Sequence, residues 1–174
     1  MKIASRRVVS VLMDFPLPAT TGLHLRMIGN LRALHALGCD SSVLWFSTPD
    51  RTPDVVDVDE LLSIVSQVDH VGRRVEQHDL PRRTRLAAKL GFVATGLTGW
   101  PGRQYPFALR YDAVSGADLV AERLEHDGAS VVVLPSQLMH WSDRIRRSCP
   151  GVLVVADAAD VLTDVTRRLA ATST

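Results

Sequence analysis

Cysteine is scarce in this sequence: Cys39 and Cys149 stand far apart, with no CxxC pair and no Cys/His cluster. That excludes a disulfide framework and a zinc site of the usual spacing, and makes a reducing cytoplasmic setting the simplest expectation. Charge of one sign is also lacking. A net charge of +1 creates no global field that would draw nucleic acid or a membrane surface. No window approaches the roughly 18 apolar residues of a membrane-spanning helix. The basic leader "MKIASRR" is followed by an apolar run of only six residues, Val8 to Met13, short of the about 7–15 that an export signal uses. Acidic residues are missing from Leu80 to Tyr111, a stretch that carries six basic ones. Finally, the chain has neither a GxGxxG dinucleotide fingerprint nor the GK[ST] of a P-loop.

What is present suits one globular domain. The apolar share is 46% and the charged share 22% over 174 residues, enough for a core and little more. Val8 to Met13 reads as a strand covered on both faces. Leu23, Met27, Leu31 and Leu34 then recur at helical spacing, with Thr20 or Thr21 as N-cap and Gly38 just past the C-terminus. "SSVLWF" (Ser41 to Phe46) is a second strand, and a helical pattern runs through Leu61, Leu62, Ile64 and Val65. "VDHVGRRVE" reads as a short strand. Further on come a helix from Tyr111 to His126, the strand "ASVVVLP", a helix from Met139 to Arg147, the strand "PGVLVVAD", and a helix from Asp160 to Ala171. Such alternation implies an α/β, doubly wound parallel sheet with helices on both faces.

In open α/β sheets ligands bind beyond the carboxyl ends of the strands. The segments to inspect are therefore "DFPLPATTG", "PSQLMHW" and "DAAD". The first spends nine residues where two to six would turn the chain, and it delivers Thr20, Thr21 and Gly22 to a helix start. Free N–H groups and the positive helix end suit phosphate there; the plain alternative is a helix cap on a proline-stiffened turn. Arg26, on the first turn, either contacts phosphate or an acidic acceptor or stays an exposed helix arginine. Gln137, His140 and Trp141 follow the fourth strand as acceptor candidates. Trp141 is a flat platform for a sugar in one reading and packing in the other. Asp157 ends an apolar strand as a hydroxyl-binding carboxylate or an N-cap, and Asp160 fits the cap itself. Residues 81–98 set Leu86, Leu90, Val93 and Leu97 beside Arg82, Arg83, Arg85 and Lys89. That is the pattern of a peripheral membrane contact, of an acceptor lid, or of a packed helix with a basic edge.

A strand, then Pro-x-Pro, a turn of small residues, Gly-x-x-x-Arg (Gly22 to Arg26) and "NLRALHALGCDSSVLWF" together resemble the N-terminal domain of GT-B glycosyltransferases, and specifically the GT4 family. "YPFALRYD", "ASVVVLPS" and "PGVLVVADAADVLTDVTRRL" resemble the same family's second half-domain, in the right order over most of the chain. The resemblance implies a Rossmann-like domain that holds the acceptor in a retaining transferase whose donor is a nucleotide-diphosphate sugar. No cofactor belongs to this half and no metal is expected. Its loop would bring Thr20, Thr21 and Gly22 to the donor's diphosphate. Asp157 and Asp160 would be the catalytic residues, matching the family's Asp-x-His-Asp, with Ala159 where the histidine usually stands. A methyl group neither donates a hydrogen bond nor carries charge.

The resemblance also implies that residues 1–174 form a single domain and that a C-terminal nucleotide-sugar domain is the partner, on the same gene or as a separate chain. The acceptor would be a small molecule, a glycan or a lipid-linked group, and the chain alone would be inactive. Two rivals remain open. One is a non-catalytic docking module of the same fold. The other is an unrelated phosphate- or nucleotide-binding Rossmann-like protein.

Overall fold

The computed structural model describes residues 6–47, 53–73, 83, 86 and 116–157. The chain runs through strand β1 (Arg7–Leu12), helix α1 (Gly22–Ala36), strand β2 (Asp40–Ser47), helix α2 (Val55–Leu62) and strand β3 (Gln67–Arg73). Helix α3 (Gly116–Asp127), strand β4 (Val131–Pro135), a 3₁₀ segment (Ser136–Trp141), helix α4 (Ser142–Ser148) and strand β5 (Leu153–Asp157) complete it. All pairings are parallel, in the order β3-β2-β1-β4-β5. This is a Rossmann-like α/β fold. Right-handed crossovers in that order lay α1 and α2 on one face of the sheet and α3 and α4 on the other.

Two-sided cover explains the unbroken apolar strands. In β1, Val9 and Val11 point to one face and Val8 and Leu12 to the other, and all four are buried. Val43 and Phe46 of β2 and Val132 and Leu134 of β4 are wholly enclosed. Where cover ends, the pattern breaks: on the outer strand β5, Leu153 and Val155 are exposed.

Helix α1 is bounded by local chemistry at both ends. Thr21 is its N-cap, and its side chain accepts from the His24 N–H at 3.2 Å. At the other end Gly38 adopts φ +72°, and the N–H groups of Gly38 and Cys39 return to the carbonyls of His35 and Leu34. Those two bonds form a Schellman closure, which needs a residue at ease in the left-handed region. The buried stripe is His24, Met27, Ile28 and Leu31. Leu23 and Leu34, expected in it, are only partly buried. The stripe is rotated because Ile28 takes a central place and His24 enters the interior with hydrogen-bond partners.

The 3₁₀ segment occupies the first part of the helix expected over Met139 to Arg147, and the α-helix starts only at Ser142. Helices α3 and α4 are tied by Arg144, whose Nε donates to Asp118 at 2.6 Å. The Cys149 thiol, also at this seam, lies 3.6 Å from the Ala121 carbonyl, and burial, then the charge of Glu125, push its pKa up. The last helix read from the sequence, most of residues 81–98, Ala159 and Asp160 lie outside the described residues. Among the described residues no helix is long and apolar enough to cross a membrane.

Candidate functional site

The sheet order fixes where a ligand edge should be. From β1 the chain winds outward to β2 and β3, and from β4 it winds the opposite way to β5. The crevice of such a sheet opens where the winding reverses, outside the carboxyl ends of β1 and β4. Two segments flank that point: the loop after β1, leading into α1, and the 3₁₀ segment after β4.

The loop after β1 is anchored from inside. Met13, Phe15 and Leu17 are buried in the core, and Phe15 packs edge-on against Trp45 with ring centroids 5.1 Å apart. Thr20, Thr21 and Gly22 stand exposed at the rim. A β-carbon added at Gly22 would meet nothing within 4 Å, so the rim there is open. Helix geometry leaves the first-turn N–H groups of Gly22 and Leu23 facing outward, while the third is taken by the Thr21 side chain.

Behind this rim lies a linked set of side chains. His24 is 5% exposed. Its Nε2 is 3.2 Å from Asp14 Oδ2, and its Nδ1 is 3.3 Å from Thr20 Oγ1. The other Asp14 oxygen accepts from the Phe15 N–H at 2.8 Å. The sequence reading missed both Asp14 and His24. The i, i+4 spacing of Thr20 and His24 was available as a signal, but the Asp14 contact spans the whole loop and no local pattern announces it.

Asp157, at the carboxyl end of β5, meets α1. Its Oδ1 accepts from Arg26 Nε at 3.0 Å and lies 2.9 Å from Arg26 Nη2, and its Oδ2 accepts from Asn30 Nδ2 at 3.1 Å. The structure thus brings together Arg26 and Asp157, two candidates 131 residues apart, and adds Asn30. The Asp157 side chain is only 15% exposed, against 44% for Arg26.

The candidates after β4 are divided. Gln137 is partly buried and accepts from the Ser136 hydroxyl at 3.2 Å. His140 belongs to the 3₁₀ segment, and its side chain is outside the described residues. Trp141 is 3% exposed, its ring 5.9 Å from that of Phe46 and in close contact with Gly116. Its faces are occupied by packing, which corrects the expectation of a flat platform for an acceptor. The 3₁₀ turn after β4 carries it back over the sheet.

A cavity of about 210 Å³ lies elsewhere, at the amino ends of the strands, among Arg7, Asp40, Ser42, His126 and Asp127. Asp127 accepts from Ser42 at 2.8 Å and from Arg123 at 2.7 Å. Burial raises its pKa, but hydrogen bonds to His126, Ser42 and Arg123, with the Arg123 charge, outweigh that and hold it below its ordinary value. This cluster braces α3 against the base of the sheet, at the edge away from the crevice. Among the described residues no group of three or more His, Cys, Asp or Glu side chains is placed to hold a metal ion.

No known family profile matches the chain, and no curated protein matches it. Among solved structures the fold is similar to the C-terminal domain of a hydrogenase from Pyrococcus furiosus. The TM-score is 0.45 at 13% identity, over 87% of this chain and 90% of that one. It is also similar to a glycosyltransferase from Rickettsia africae, with a TM-score of 0.44 and 12% identity, over 88% of this chain but 29% of that one. A CDPS from Fluoribacter dumoffii gives a TM-score of 0.36 at 14% identity, over 84% of this chain and 88% of that one. Likenesses at this level identify no shared activity.

Proposed function

We propose that this chain is the acceptor-side half of a retaining glycosyltransferase of the GT-B, GT4-like type. It would help transfer a sugar from a nucleotide-diphosphate sugar to a hydroxyl of an acceptor. The observation that carries the reading is the placement of the long first loop: its open rim at Thr21 and Gly22 stands at the point where the sheet's winding reverses. Outward N–H groups at a helix start suit the donor's diphosphate. The family-like order of motifs along the chain supplies the rest of the support.

In this reading Asp157 is a positioning residue. Its Oδ1 accepts from Arg26 and its Oδ2 from Asn30, so it holds Arg26 at the rim. The donor half is a second Rossmann-like domain, on the same polypeptide or a separate one.

The test is transfer of labelled sugar from UDP-glucose and GDP-mannose by the polypeptide as its gene encodes it. The unmodified protein should transfer sugar. Gly22→Val should lower transfer roughly ten- to a hundred-fold by displacing the donor, with thermal stability kept, since its side chain meets open space. Transfer unaffected by Gly22→Val, or no transfer from any nucleotide-sugar, contradicts the reading.

A further inference from the structure

We propose that the sheet face covered by α3 carries a binding site apart from the crevice, a cavity that takes a small organic ammonium with an apolar body. The cavity holds about 410 Å³, within the ~300–1,000 Å³ of small-molecule sites. It lies between α3 and the edge strand β3, and of its lining residues only Gln67 and His126 also line the cavity at the amino ends of the strands. The proposed sugar transfer makes no use of it, so the inference does not rest on that reading.

The apolar part of the lining comes from three elements. Leu44 of β2 is buried, Val71 of β3 is partly buried, and Leu119 of α3 is 39% exposed. Covering that leucine and its neighbours with the apolar body of a ligand removes hydrocarbon surface from water, which is the favourable part of binding.

Charge decides the polar end. Asp69 and Glu122 contribute carboxylates to the lining, and both are reachable: the Asp69 side chain is 40% exposed and Glu122 is exposed. Arg123 also lines the cavity, but its guanidinium is held between the carboxylates of Asp69 and Asp127. Its Nη2 is buried without a hydrogen-bond partner, out of a ligand's reach. An entering anion would therefore meet a guanidinium already matched by two carboxylates, and repulsion from Glu122. The imidazoles of His70 and His126 do not turn the balance positive. Even with both charged, they and Arg123 only equal the carboxylates of Asp69, Glu122 and Asp127. A metal ion does not fit either, because among the described residues no three His, Cys, Asp or Glu side chains are placed to hold one. An ammonium group, which only donates hydrogen bonds, suits carboxylates, which only accept them.

Amide chemical-shift titrations of the full chain, at mildly alkaline pH, test this with phenylpropylamine, phenylpropanol and phenylpropanoate. These probes share one apolar body and differ in charge. The amine should bind with shifts centred on Leu44, Val71 and Leu119, the alcohol more weakly, and the carboxylate more weakly still. Glu122→Gln, an exposed change on α3, should weaken the amine about three-fold, the worth of one exposed ion pair, and leave the alcohol unchanged. Unchanged alcohol binding also shows that the variant keeps the cavity. Leu119→Ala should weaken amine and alcohol alike. Amine shifts centred elsewhere, absence of amine binding, a carboxylate that binds as well as the amine, or a Glu122→Gln variant that treats amine and alcohol alike each overturns the proposal.

Discussion

Asp127 shows how one side chain couples charge to folding. It sits where α3 ends, collecting Ser42 from β2 and Arg123 from its own helix. Its pKa in the folded chain lies below the ordinary 3.8. The stability it contributes is therefore complete above that value and is lost as pH falls through the folded-state value. Asp127→Asn should lower stability at neutral pH by about 1–3 kcal/mol, since charge-assisted bonds are lost. The difference from the unmodified chain should shrink in acid below pH 3.8. Denaturant unfolding followed across that range checks both. At the same scale, His24 was not legible in the sequence. A histidine among apolar residues in a helix gives no sign of a carboxylate partner ten positions back, and the partner exists only once the loop has folded under the helix.

Among the elements, α3 and the 3₁₀ segment are joined by a contact too close for any β-carbon. A Cβ at Gly116 would lie 2.5 Å from Trp141 Cζ2. The indole is held against Phe46 and cannot swing aside. Gly116→Ala should thus cost about 1–3 kcal/mol by overpacking, in spite of the better helix propensity of alanine. Thermal unfolding of the variant measures it. A stabilised variant would show that the indole yields. Elements whose limits are set by neighbours in the chain were legible: the Thr21 cap, the Gly38 closure of α1, and the apolar strands β1, β2 and β4. What was not legible depended on contacts between elements. The tryptophan's role was one case, because the choice between platform and packing is made by Phe46 and Gly116. The grip of α1 on Asp157 was another, because it joins the first helix to the fifth strand.

At the scale of the whole molecule, alternation of strands and helices was enough to anticipate a parallel α/β sheet, and the strand order then locates the crevice. The order itself lay beyond the pattern, since hydrophobic periodicity says which residues face a cover but not which strands lie side by side. In the proposed function the carboxyl ends of β1 and β4 form one wall of a sugar-transfer crevice, and the amino-end cavity is structural bracing. Amide chemical-shift mapping of the full chain titrated with UDP-glucose tests this most directly. Shifts should concentrate over Asp14 to Arg26 and Pro135 to Trp141. Shifts centred instead on Arg7, Asp40, Ser42 and Asp127, or none at all, would contradict it.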